Sequence, residues 1–478
     1  MSSKQSGSQE QESKLAVVIM AADRGARLKS RRAKALHQVG GRPMIAHVVA
    51  AASRVVESAD VYVVVGPQAD LVQKALTGTG VHFIEQAEHS GTSHAVLSAM
   101  SRLADYRNVL MLSGDMPLIR PETIMQLRDA HRSHDAAMTV LTAVREDPKG
   151  YRRVLRHSPQ SVEVDAIVDE AELKPGEESI HEVSAGAYAF KTSALQTHLG
   201  YLAASHPDIE LCLSDMARNL RLAGRHVAAT PAESAIEISG IHTLSELAAV
   251  DAALRAATAN RLMAAGVTIF RPETCVIDAD VEVEADTVIE PFVQLLGRTR
   301  IGAESHIRSY AVIENCTVGN RVIIRQSCVL AESSIADGAE IGPFARMRPG
   351  CEIGEDVHIG NFVEIKKSKL HKGVKAGHLA YLGDSEIGAK TNIGAGVITC
   401  NYDGAQKHLT RIGEGVFVGS DSTLVAPLTV EDGAYIGAGS CITKNVPAGS
   451  LAVGRAHQII KEGWAAARRA RNKERERS

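Results

Sequence analysis

Ile341-Gly342-Pro343-Phe344-Ala345-Arg346-Met347-Arg348-Pro349-Gly350-Cys351-Glu352-Ile353-Gly354-Glu355-Asp356-Val357-His358-Ile359-Gly360-Asn361-Phe362-Val363-Glu364-Ile365 puts a large aliphatic side chain at every sixth position. The spacing continues outward. Upstream it reads Ile277, Val283, Ile289, Leu295, Ile301, Ile307 and Ile313, then, one residue out of phase, Val318, Ile324 and Leu330, then Ile335. Downstream it resumes as Ile412, Val418, Leu424, Val430, Ile436 and Ile442. A period of six matches neither a helix nor the alternation of an ordinary strand. It suits a parallel β-helix, in which each short strand sends one aliphatic residue into a narrow prism. Glycine often follows, as in Ile301-Gly302, Ile353-Gly354 and Ile359-Gly360, and lets the corner turn. Large rings would not fit such a prism, in keeping with an aromatic content of 4% beside 40 glycines.

The first half has another rhythm. Apolar runs at Leu15–Met20, Val61–Val65 and Val109–Leu112 are short, β-branched and separated by helical patterns. They predict a Rossmann-like α/β domain on a parallel sheet over 15–241. Leu244, Leu247, Val250, Leu254 and Ala257 recur at helical spacing, predicting a linker helix over 242–266 with Ser245 and Glu246 near its start. The solenoid then occupies 267–463. Residues 1–14 read as a disordered N-terminus, and 464–478 as a basic, solvated helical tail.

Composition removes several classes of function. Lys plus Arg number 53 and Asp plus Glu 56, a formal charge of −3, so no basic surface points to nucleic acid. No apolar stretch is long enough to span a membrane, and the N-terminus lacks the apolar core of a signal peptide. Seven scattered cysteines without a C-x-x-C pair read as reduced thiols of a cytoplasmic protein, not as a zinc site.

In an open α/β sheet, ligands sit beyond the carboxyl ends of strands. There stand Ala21-Ala22-Asp23-Arg24-Gly25-Ala26-Arg27-Leu28, with Lys34 further on, and Ser113-Gly114-Asp115. A glycine-bearing turn with two arginines and a lysine can hold a polyphosphate, and a strand-end aspartate can hold Mg²⁺ against it.

With the solenoid behind these motifs, residues 15–464 resemble the bifunctional N-acetylglucosamine-1-phosphate uridylyltransferase/glucosamine-1-phosphate acetyltransferase family. The resemblance implies a left-handed parallel β-helix of hexapeptide repeats, a homotrimer, and acetyl-CoA and UTP as co-substrates. It implies nucleotide contacts at Ala21, Ala22, Arg27, Lys34, Gln86, Gly91, Thr92 and Gly114, with Mg²⁺ on Asp115. The match is looser in this half. Asp23 stands for a glycine of the phosphate loop, Ala33 for a proline and Arg152 for a glycine beside the sugar. Ser184 stands for an asparagine, and His242 for the asparagine expected to share Mg²⁺ with Asp115. These departures predict weakened uridylyl transfer: Asp23 repels a triphosphate, Arg152 crowds the sugar, and imidazole is a poor ligand for a hard cation. The alternative is a monofunctional acetyltransferase whose first domain only binds nucleotide or supports assembly. A non-catalytic scaffold is a third reading, opposed by the dense solenoid motifs.

Those motifs are Gly342–Gly350, Gly360-Asn361-Phe362-Val363-Glu364-Ile365-Lys366-Lys367, Ala376-Gly377-His378-Leu379-Ala380-Tyr381-Leu382-Gly383-Asp384 and Asn392-Ile393-Gly394-Ala395-Gly396. From Asn401 the rhythm breaks until Ile412, an excursion that stability does not require. Acetyl transfer to an amino sugar needs a base that deprotonates an ammonium near neutral pH, which histidine suits. The resemblance gives that role to His378, oriented by Glu364. Arg348 and Lys366 would hold the sugar phosphate, and Tyr381 and Asn392 the sugar. Ala395, Asn401, Tyr402, Ser420, Ala438 and Arg455 would line the acetyl-CoA groove.

Overall fold

The computed structural model describes residues 14–475 except 67, 87–95, 97–98, 159 and 206–211. The expected disordered segment therefore lies almost wholly outside the described residues, as do Gly91 and Thr92. The chain divides into two compact units between Ala257 and Thr258.

In the first unit, strand Leu15–Ala21 is buried along most of its length and runs parallel to both neighbours, Asn108–Ser113 and Val61–Val65. His82–Glu85 extends the sheet in parallel beyond Val61–Val65. On the other side Glu182–Lys191 runs antiparallel to both Asn108–Ser113 and Met138–Val144, and Val227–Pro231 lies parallel to Met138–Val144. The sheet is thus mixed, where the sequence predicted a parallel one. The link from Val168 to Glu182 holds only two short 3₁₀ turns. It has no helical crossover, which a parallel return would need. Apolar side chains cover both faces. Helices Met44–Ala52 and Pro121–Ser133 close one side through Ile45, Val48 and Ile124, and Leu195, Leu199 and Met216 close the other. Because Met20 pairs with Ser113, the loops after these two central strands emerge side by side.

Residues Leu244–Ala264 form a helix. Its start is fixed by a capping box that begins at Thr243, two residues before Ser245. The Glu246 carboxylate accepts the amides of His242 (2.7 Å) and Thr243 (2.8 Å), and the Glu246 amide donates to the Thr243 hydroxyl.

The second unit winds through three parallel sheets of 11, 10 and 9 short strands. Each aliphatic residue of the six-residue series lies in one core, from Ile277 through Ile341, Ile353 and Ile359 to Ile442. The phase slips mark coils one residue shorter: Val283 pairs with Ile301, but Ile301 pairs with Val318. Ile387 pairs with Ile412, so one coil carries the whole excursion. Some buried serines and threonines bond to neighbouring coils: the Ser368 hydroxyl accepts the Ser385 amide (3.0 Å) and the Thr399 hydroxyl the Gly383 amide (2.8 Å), whereas the buried Thr410 hydroxyl has no partner. Among the described residues, no helix is long and apolar enough to cross a membrane.

Close coil contact makes glycine obligatory where coils touch most tightly. A Cβ on Gly360 would lie 1.7 Å from the Gly377 carbonyl oxygen. Gly360→Ala is expected to destabilise the solenoid by about 1–3 kcal/mol or more through overpacking. It should also lower acetyl transfer, since Gly377 precedes His378. A thermal unfolding midpoint equal to wild type would refute this.

Candidate active sites

The solenoid site grows from one corner position repeated on successive coils. Strand Lys375–His378 ends at His378, whose register partner one coil below is Asn361. The next coils present Ala395, Ser420 and Ala438 there: the Asp421 amide donates to the Ala395 carbonyl (2.7 Å), and the Gly439 amide to that of Ser420 (2.8 Å). Gly394 and Gly419 make this line narrow, because a Cβ on either would meet the next coil's backbone at 2.5 or 2.4 Å. Arg455 ends the line, its guanidinium donating to the Ala438 carbonyl (2.9 Å). Small residues thus run up a corner that starts at an exposed imidazole.

The side chain in hydrogen-bond reach of His378 is Asn361, with Nδ1 3.3 Å from Oδ1. A carbonyl oxygen only accepts, so this bond fixes the proton on Nδ1 and leaves the Nε2 lone pair to solvent. Glu364 lies on the adjacent sheet, in register with Tyr381, and its carboxylate accepts from Arg348 (3.4 Å). Lys366 is on the same strand as Glu364. Tyr381 packs against Gly383, where a Cβ would meet the phenol oxygen at 2.5 Å. Asn392, half-buried, lies in register between Lys375 and Phe417.

The excursion folds back onto this face. Asn401 is buried and its amide donates to the Asp384 carboxylate. Tyr402 is exposed, bridges to Lys407, and donates to the Gly404 carbonyl (2.6 Å). A side-chain hydrogen bond with Lys366, and then its like charge, pull the Lys407 pKa below the usual lysine range. Two adjacent ammonium groups are a repulsion that a dianionic phosphate relieves. Sequence reasoning assigned no role to Lys407 or Asn361. Signals for both were present: Lys407 lies inside the unexplained excursion, and Asn361 precedes His378 by one coil length.

The first unit's site surrounds a buried ammonium. Lys34 Nζ is 3.3 Å from Asp23 Oδ2 and 3.2 Å from His242 Nδ1, and it also pairs with Asp115 Oδ2. Burial alone would push the Asp23 pKa up, but the Gly25 amide (2.8 Å) and Lys34 more than offset it and hold it low. The repulsion expected between Asp23 and a triphosphate is therefore already countered by Lys34. Burial, reinforced by Lys34, pushes the His242 pKa down. The Ser113 hydroxyl donates to Asp115 Oδ1 at 2.5 Å. Gly25 takes a left-handed turn (φ 68°), and Gly114 allows the approach of Met20, whose carbonyl a Cβ there would meet at 2.8 Å. Ala21 is buried, Ala22 half-buried and Arg27 exposed on the same loop, and Gln86 follows the strand beside it, its amide donating to the Val65 carbonyl. Arg152 is turned onto another segment, contacting Ser214, Cys212 Sγ (3.2 Å) and Asp215 (3.7 Å). Ser184 is buried against the Tyr188 hydroxyl (3.2 Å).

These residues fit a divalent cation. Asp115 supplies a carboxylate just past a strand end, and Gly240 avoids crowding it: a Cβ there would stand 3.2 Å from His242 Nε2 and 3.6 Å from both Asp115 oxygens.

Fold and sites together define a chain with a nucleotidyltransferase-type domain and an acyltransferase-type hexapeptide solenoid. Residues 17–175 match the MobA-like NTP transferase domain family, and 332–367 match the bacterial transferase hexapeptide (six repeats) family. Whole-chain relatives agree. The bifunctional protein GlmU of Koribacter versatilis is 51% identical over 96% of this chain and 98% of its own. Those of Solibacter usitatus and Anaeromyxobacter dehalogenans are each 45% identical over 95% of this chain, covering 97% and 93% of their own lengths. The chain belongs to the family of the bifunctional protein GlmU.

Lys407→Ala is expected to raise the KM for glucosamine-1-phosphate about 10- to 100-fold, the worth of one hydrogen bond to a charged group, with a smaller change in kcat. Steady-state kinetics showing an unchanged KM would remove Lys407 from the site.

Proposed function

We propose that the chain performs two transfers: acetylation of glucosamine-1-phosphate by acetyl-CoA in the solenoid, and uridylyl transfer from UTP to the resulting N-acetylglucosamine-1-phosphate in the first domain. The observation that carries the first is His378, hydrogen-bonded to Asn361 at the foot of a line of small residues. Nε2 takes a proton from the substrate ammonium, and the freed amine attacks the thioester carbonyl. The CoA thiolate leaves and is protonated. Arg348, Lys366 and Lys407 hold the phosphate, while Glu364 fixes Arg348. Tyr381 and Asn392 seat the sugar, and Ala395, Asn401, Tyr402, Ser420, Ala438 and Arg455 seat acetyl-CoA.

In the first domain Arg27 and Lys34 hold the triphosphate, with Ala21, Ala22 and Gly114 allowing close backbone approach. Gln86, together with Gly91 and Thr92, reads the base. Asp115, oriented by Ser113, would hold Mg²⁺, which supplies charge neutralisation at the reacting phosphate when bound. A sugar-phosphate oxygen attacks the α-phosphorus and pyrophosphate leaves.

Assembly as a homotrimer is part of this reading. Phe292 stacks on Tyr310 (5.1 Å between centroids) and Phe344 on Phe362 (5.3 Å), all four exposed at one corner in left-handed backbone. Large exposed rings in a strained conformation support burial against a second copy. The reactions belong to the cytoplasm, in keeping with seven free thiols.

His378→Ala is expected to lower kcat for acetyl transfer, followed by release of the CoA thiol, roughly 10²–10⁴-fold. Turnover near wild type would sink the assignment. Asp115→Ala should abolish pyrophosphate release while sparing acetyl transfer. Loss of both, with the chain folded, would contradict two separate sites.

A further inference from the structure

The first domain encloses the ammonium of Lys34 with two carboxylates and an imidazole, residue types that can also ligate a metal. We infer that this site takes a first-row transition cation, probed as Mn²⁺, in preference to Mg²⁺, with Asp23 and His242 joining Asp115 as ligands once Lys34 turns to the nucleotide phosphates. The inference rests on reading the domain as a nucleotidyltransferase.

Three donors converge on one point: Asp23 Oδ2 at 3.3 Å, His242 Nδ1 at 3.2 Å and Asp115 Oδ2, all measured from Lys34 Nζ. An ammonium can only donate, so His242 meets it with the Nδ1 lone pair, the form of imidazole that binds metal. Each carboxylate has a second anchor. Asp23 Oδ1 accepts the Gly25 amide and Asp115 Oδ1 the Ser113 hydroxyl, which leaves one oxygen of each aimed at the centre. Among the described residues no three His, Cys, Asp or Glu side chains form a ready-made metal cluster. Here the ammonium fills the middle.

Charge favours the exchange. Two carboxylates and one ammonium sum to −1, and a divalent cation in the ammonium's place brings the cluster to zero. Lys34 is then free to meet the incoming phosphates, so nucleotide and metal draw each other in. The donor set also selects the metal. Mg²⁺ favours an all-oxygen shell and keeps its waters, whereas an imidazole nitrogen suits softer first-row ions. Asp23 and His242, the two departures expected to impair the domain, then become a matched pair: a carboxylate and an imidazole added to one site.

The test is Mn²⁺ binding by the full-length protein with a non-hydrolysable UTP analogue, followed by electron paramagnetic resonance. Wild type is expected to bind one Mn²⁺ at this site with a ¹⁴N coupling in the electron spin-echo modulation, absent in His242→Asn. Asp23→Gly and the milder Asp23→Asn should each weaken Mn²⁺ binding about tenfold or more, as loss of a shell contact does. His242→Asn should lower the Mn²⁺/Mg²⁺ preference by a similar factor, measured by competition. Without nucleotide, Lys34→Met should tighten Mn²⁺ binding, because its competitor is gone. Acetyl transfer by each variant reports that the chain is folded. Absence of the ¹⁴N coupling in wild type, or an equal Mn²⁺/Mg²⁺ preference in His242→Asn, overturns the inference. The two readings fail separately. Nitrogen-coupled Mn²⁺ without pyrophosphate release would leave the metal site standing and remove the uridylyltransferase, and pyrophosphate release without nitrogen coupling would do the reverse.

Discussion

The backbone hydrogen bond from each coil to the next governs the second half of the molecule. It sets a pitch of about 4.8 Å, the ordinary spacing of paired strands, and every other feature adjusts to it. Large aliphatic residues fill the prism because most strands, two or three residues long, turn a single side chain inward. Glycine stands where two backbones meet, as Gly360 does beneath Gly377. Serine and threonine are tolerated inside because a hydroxyl can reach the adjacent coil. The site inherits the same spacing: His378 stands over Asn361 because they are one coil apart.

Electrostatics has opposite signs at the two sites. The solenoid pairs Arg348 with Glu364, anchors the excursion through Asn401 on Asp384, and leaves the like charges of Lys366 and Lys407 acting on each other. Such a site is incomplete without an anion. The first domain does the reverse, folding two carboxylates and an imidazole around one ammonium. Its negative charge is countered in part from within.

The solenoid was legible in the sequence because one periodic constraint is written into every coil, from Ile277 to Ile442. Even the phase slips after Ile313 and Leu330 survive as shortened coils. The antiparallel strand Glu182–Lys191 was not legible, since its apolar pattern is the same in either direction and the missing crossover helix is the only cue. His378 could be read from its motif, but Asn361 required the coil length, and Lys407 required knowing where the excursion lands. The substitutions at Asp23 and His242 were plain as letters. Their shared contact with Lys34 was not, because residues 23, 34, 115 and 242 meet only after the sheet has formed.

The corner that carries His378, Ala395, Ser420 and Ala438 is a graduated scale. Three coil steps of about 4.8 Å, roughly 14 Å in all, separate the coil of His378 from that of Ala438. On the proposed placement of acetyl-CoA along this corner, the reach of the acyl carrier would be counted in whole coils. Within a coil, the corner residue can change size without moving its neighbours. The fold thus offers two independent adjustments, a coarse one by coil number and a fine one by side-chain volume, and a solenoid of this kind can be refitted to another thioester without redesign of its core.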